Sequence, residues 1–192
     1  DLHSFPTRRS SDLHIDPLDG LRLQLSWGYA DGEYTNFPVS DTRGTASTAD
    51  DVFVNFAHQA QWSAPEHTLF ADIEYSTPPL GDLGWIIKAG ISARMIGDNG
   101  GGALNDETLQ LRPVTTPFRD VLRQDAYTVI DARVVLADVA LRGRAKLSAT
   151  VFGKNITDEA YLEHGQDLGA SLDFVIGQFA PPATWGLEVK FE

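Results

Sequence analysis

The feature that most constrains this chain is a two-residue hydrophobic period, sustained over segments of about ten residues, because successive side chains of a strand point to opposite faces. In Leu21–Tyr29 the apolar set is Leu21, Leu23, Leu25, Trp27 and Tyr29, set against Arg22, Gln24, Ser26 and Gly28. In His67–Ser76 it is Leu69, Ala71, Ile73 and Tyr75, with Phe70 out of pattern. The same alternation runs through Trp85–Ile96, Ala126–Ala137, Lys146–Asn155 and Thr184–Glu192. These periods predict about six strands of roughly ten residues, the length of a tilted membrane-spanning strand, where ordinary globular strands run about five or six.

The connections supply a second constraint. They alternate long and short: Asp31–Glu66, Gly97–Gln124 and Ile156–Ala183 are long, whereas Thr77–Gly84 and Asp138–Gly143 are short. An outer-membrane barrel has this parity, with short turns on the periplasmic side and long loops outside. A soluble meander has no reason to keep it. The fold expected is therefore all-β: an antiparallel up-and-down transmembrane barrel, of which His14–Glu192 would be the C-terminal portion.

Composition narrows the classes without choosing among them. Hydrophobic residues make up 42% and charged residues 22% of the 192, near the globular average. No apolar run approaches the roughly 20 residues of a spanning helix. A mean hydropathy of −0.19 is compatible with barrel strands, which carry lipid-facing and lumen-facing residues in turn. The net charge of −12 argues against nucleic acid as a partner, since phosphate binding needs a basic surface. There is no cysteine, hence no disulfide framework and no thiolate metal site.

Asp1–Leu13, DLHSFPTRRSSDL, has no apolar core and is not a signal peptide. It resembles the translation of a common short-read sequencing adapter. The segment is therefore set apart from the fold, with genuine sequence expected from about His14.

Three stretches resemble the closing strands of TonB-dependent outer-membrane receptors. Tyr127–Arg133 is similar to a recurrent strand in which an apolar–Asp–x–Arg core, here Asp131 and Arg133, follows an aromatic. Val151–Tyr161 resembles a strand-end element built on Asn155, Asp158 and Tyr161; Asn and Asp fold back onto nearby backbone groups and can end a strand sharply. Thr184–Phe191 resembles the C-terminal signal read by the barrel-assembly machinery, through Thr184, Gly186, Val189 and Phe191. Two departures stand out. The family ends on an aromatic two residues beyond the Phe191 position, and it often has Arg where this chain has Pro181-Pro182-Ala183.

The resemblance implies a transporter of the Gram-negative outer membrane, with a plug domain inside a barrel of about 22 strands. It implies import of a scarce ligand such as a ferric siderophore, cobalamin or an oligosaccharide. The partners implied are outer-membrane lipid, the imported small molecule, the barrel-assembly machinery and an inner-membrane energy-coupling complex reached through an N-terminal region. About six strands would leave both edges unpaired, so the chain expressed alone is expected to aggregate or to stay unfolded in detergent, and not to be a soluble, cooperatively melting monomer. The alternatives are a porin-like or autotransporter barrel, or a soluble β-sandwich binding module whose apolar faces cover each other.

Enzyme chemistry has little to stand on. Gly97–Gly102 is glycine-rich, but no Lys-Ser/Thr follows, so a flexible external loop is expected rather than a phosphate cradle. His14, His58, His67 and His164 show no paired metal spacing. No Gly-x-Ser-x-Gly element is present. No catalytic residue, cofactor or metal ligand is assigned. Asp72, Glu74, Arg94, Asp131, Arg133, Lys146, Lys154, Glu188 and Lys190 are assigned instead to the hydrated, lumen-facing wall of a barrel.

Overall fold

The computed structural model describes residues 7–32, 35–36, 38–41, 47, 49, 52–55, 65–82, 84–98, 124–141, 145–167 and 174–191. These residues form eleven strands and no helix. Seven of them make one antiparallel up-and-down sheet in the order β1 (Thr7–Leu18), β2 (Leu21–Asp31), β5 (His67–Ser76), β6 (Ile86–Ile96), β7 (Tyr127–Ala140), β8 (Lys146–Lys154) and β11 (Thr184–Phe191). Two small hairpins complete the set, β3 (Pro38–Asp41) with β4 (Val52–Asn55), and β9 (Leu162–Asp167) with β10 (Val175–Phe179). The sheet is open, with β1 and β11 at its edges.

Six of the seven sheet strands lie where the alternation predicts them, and register explains why the periods agree. Leu23 stands opposite Ile73, Ile73 opposite Ile91, and Ile91 opposite Ala132. Val134 continues onto Val151 and Val151 onto Leu187. A slip of one residue anywhere would flip a whole strand's apolar set to the other face, so the shared period fixes the face that each strand shows. From β2 to β11 one face is thus mainly apolar, and the other carries most of the charged residues.

The ends of the sheet differ as the connection lengths imply. At one end lie three short links: the Asp19-Gly20 turn, Thr77–Trp85 and Leu141–Ala145. Gly20 has φ of 80°, and a Cβ there would strike the Ser76 carbonyl oxygen, so this turn accepts only glycine. At the other end lie the long connections.

Several expectations need correcting. β7 runs on through Asp138 to Ala140, because a register shift between Leu136 and Val139 lets the ladder with β8 resume; such a bulge absorbs one misplaced residue. The turn expected at Asp138–Gly143 is therefore shorter. Trp85 precedes β6 and forms an isolated bridge with Leu80 instead. The first and third long connections contain the β3–β4 and β9–β10 hairpins, which lack a sustained period. Most of Gly97–Gln124, including Gly100–Gly102, lies outside the described residues. β1 crosses from the adapter-like segment into the sequence beyond His14, pairing Thr7 with Asp31 and Ile15 with Leu23. No second sheet covers the apolar face among the described residues, as a β-sandwich would require.

Candidate functional site

Register places all nine residues assigned to the wall on the polar face. Asp72 stands opposite Ser92 and Ser92 opposite Asp131; Arg94 stands opposite Val129. Lys154 pairs with Thr184, Glu188 with Thr150 and Lys190 with Ser148. Lys146 has the parity of Ser148 on the same strand. Phe70 lies on this face too, opposite Arg94, which accounts for its break from the period.

One row across this face shows how the side chains are arranged: Arg22, Glu74, Gly90, Arg133, Phe152 and Gly186 stand side by side on six consecutive strands of the sheet. Glu74 and Arg133 are separated by β6, a backbone gap of roughly 10 Å at about 4.8 Å per strand. They meet nonetheless, Arg133 Nη2 donating to Glu74 Oε2 at 2.6 Å. The Arg133 side chain passes over Gly90, where a Cβ would make ordinary van der Waals contact, 3.4 Å from Arg133 Nε. Arg22 approaches the other Glu74 oxygen at 4.0 Å and Asp16 at 3.9 Å. Charges therefore alternate along the row, Arg22, Glu74 and Arg133.

In the same row Phe152 leans the opposite way, its ring lying over Gly186, where a Cβ would come within 2.8 Å of Cε1. On the apolar face the relation repeats with the partners exchanged: the Trp185 ring covers Gly153, 2.5 Å from a Cβ built there. Gly186 is one of the residues singled out by the C-terminal pattern, and its glycine is required by the ring of the neighbouring strand. A hollow of about 160 Å³ lies beside Arg133 and Phe152, bounded also by Asp72, Ser92, Asp131 and Lys154.

Asn155, Asp158 and Tyr161 come together at the loop end of β8 as one corner. Asn155 is 5% exposed and has φ of 50°, Asp158 of 54°, left-handed conformations that Asn and Asp tolerate. The Asn155 backbone N–H donates to Asp131 Oδ1 on β7 at 2.8 Å. Its amide Nδ2 donates to the Glu159 carbonyl at 2.9 Å and the Pro181 carbonyl at 3.3 Å. Its Oδ1 accepts the Glu159 N–H at 2.9 Å. Asp158 Oδ1 accepts the Ala183 N–H at 2.8 Å, just before β11. Tyr161 stacks on Tyr127, centroids 4.4 Å apart. Asp131 was expected as plain wall; it also anchors this corner, a role that its position opposite Ser92 does not disclose.

Thr184, Val189 and Phe191 lie along β11 with Val189 and Phe191 on the apolar face and Thr184 on the polar one. The Thr184 hydroxyl donates to the Pro182 carbonyl at 2.9 Å. Pro181-Pro182 takes part in this corner: its carbonyls accept from Asn155 and Thr184, while it carries no N–H to satisfy.

At the loop end of the apolar face Trp27, Tyr29 and His67 form an aromatic cluster with centroid distances from 5.1 to 6.2 Å. His58 lies outside the described residues. Among the described residues no group of three or more His, Asp or Glu side chains is placed to hold a metal ion. Compared with known proteins, the chain matches no family model, no curated protein and no solved structure.

Proposed function

We propose that this chain is a stretch of outer-membrane β-barrel wall, its apolar face against lipid and its polar face toward the lumen. We further propose that the barrel is that of a TonB-dependent transporter importing a scarce ligand such as a ferric siderophore, cobalamin or an oligosaccharide. The observation that carries the first part is an inversion of exposure. In the run Ile73-Glu74-Tyr75 the two apolar residues are 48% and 45% exposed, whereas the Glu74 side chain is 19% exposed. In water the order would be reversed, since burying apolar surface is favourable by about 25 cal/mol per Å². Exposure of the apolar residues extends across the sheet, through Ile91, Val134 and Val151 to Leu187 at 67%. A contiguous apolar surface of that extent marks a face meant for an apolar partner.

The dimensions agree with lipid. From Ile87 to Met95 the apolar set of β6 spans about 27 Å along the strand, or roughly 20 Å of membrane normal at a tilt near 40°, close to the band of about 25 Å in outer-membrane barrels. Trp27 and Tyr29 at one end, with Tyr75 and Phe191 toward the other, sit where interfacial aromatics belong.

The transporter part rests on the resemblance of Tyr127–Arg133, Val151–Tyr161 and Thr184–Phe191 to that family's closing strands. Two experiments test the two parts. In aqueous buffer without detergent the chain is expected to aggregate; a soluble monomer with a cooperative melt would sink the membrane reading. Sequencing the gene upstream of the His14 codon is expected to reveal a plug domain and a coupling segment. Barrel strands preceded by neither would replace the transporter with a porin-like channel.

A further inference from the structure

We infer that the Asn155 corner and the two ring-on-glycine pairs form a register latch that seats β11 on β8. The need for one follows from the pattern of β11 itself. Trp185, Leu187, Val189 and Phe191 alternate strictly with Thr184, Gly186, Glu188 and Lys190, so the apolar face excludes a slip of one residue but is blind to a slip of two. With Lys190 brought opposite Thr150, Val189 would face Val151 and Leu187 would face Gly153, and the faces would still match.

Specific contacts tell the registers apart. In the native register Phe152 lies over Gly186 and Trp185 over Gly153. After the two-residue slip Phe152 would meet Glu188, and Trp185 would leave its glycine. Upstream, the approach to β11 is held at fixed points by the Asn155 amide on Pro181 and by the Asp158 carboxylate on Ala183. Asn155 is itself tied to β7 through Asp131, so the latch joins three strands at one end. Asparagine is required at the centre, because its NH₂ serves two carbonyls while its oxygen accepts a third bond.

The absence of cysteine in this chain allows a direct test with disulfides in the complete barrel protein that carries it, folded in detergent micelles. Thr150→Cys with Glu188→Cys reports the native register, and Thr150→Cys with Lys190→Cys reports the slipped one. The two loops differ so little in length that an unregistered chain would form both bonds at rates within about 1.1-fold. A native-to-slipped ratio above about ten is expected, the tenfold corresponding to about 1.4 kcal/mol of register preference. Asn155→Gly keeps the left-handed backbone but removes the side-chain bonds, and Phe152→Val removes the ring over Gly186. Each is expected to lower the ratio at least threefold. A ratio near one in the parent chain, or an unchanged ratio in either variant, would overturn the latch. Neither result depends on whether the apolar face meets lipid, which the aggregation test decides separately.

Discussion

The middle of the sheet and its β8–β11 corner are held in register by different means. Across β2, β5, β6 and β7 the matched apolar periods fix which face each strand shows, and an ion pair from Glu74 to Arg133 lies over Gly90. At the corner the alternation leaves a two-residue ambiguity, and a buried amide, a carboxylate and two rings resolve it. The lesson is that hydrophobic patterning specifies faces, whereas individual side-chain fits specify position along the strand.

Six substitutions press on this contrast, each read as the change in urea unfolding of the complete barrel protein carrying this chain in detergent micelles. The largest effect is expected for Ile91→Arg at the centre of the apolar face, where the proposed lipid contact would make a cation cost about 2–4 kcal/mol. Ser92→Arg, one residue away on the polar face, is expected to change stability by no more than about 0.5 kcal/mol. Equal losses from the two would deny that the faces meet different solvents.

Next comes Asn155→Asp, which turns two donors into a carboxylate oxygen aimed at the carbonyls of Glu159 and Pro181. A loss of about 2–3 kcal/mol is expected from carbonyls left without donors beside a buried charge. A loss below about 0.5 kcal/mol would make the corner incidental.

Gly186→Val places a branched side chain against the Phe152 ring, with an expected loss of about 1–3 kcal/mol from overpacking. Combining it with Phe152→Ala is expected to recover part of that loss, since contacting sites couple in double-mutant cycles. Strict additivity would mean that the ring does not rest on this glycine.

The smallest effect belongs to the middle of the sheet. Arg133 is 48% exposed, so Arg133→Gln is expected to change stability by less than about 1 kcal/mol, and less still at high salt. A loss matching that of Asn155→Asp would erase the distinction between the two regions.

Much of the fold was legible in the sequence because the period of two survives any tertiary context in which one face is apolar. Thus Leu21–Tyr29 and Lys146–Asn155 match β2 and β8 to within two residues. The β9 and β10 segments were missed because LEHGQD and VIGQF are short and lack alternation. The extension of β7 was missed because a bulge breaks the parity by which strands are recognised. The polar face followed from parity alone. The pairing of Glu74 with Arg133 did not, as the partners lie 59 positions apart with a strand between them. Asn155, Asp158 and Tyr161 were marked as a group, but Asp131, Pro181 and Ala183 complete the corner from segments that carry no local sign of it.

The bar formed by Arg133 and Glu74 over Gly90 has a mechanical consequence. β6 lies beneath a strut anchored on both of its neighbours, so the strut opposes its displacement toward the polar side and leaves the apolar side unguarded. Pulling forces on this sheet would therefore meet direction-dependent resistance, greater for β6 drawn out across its polar face than across its apolar one.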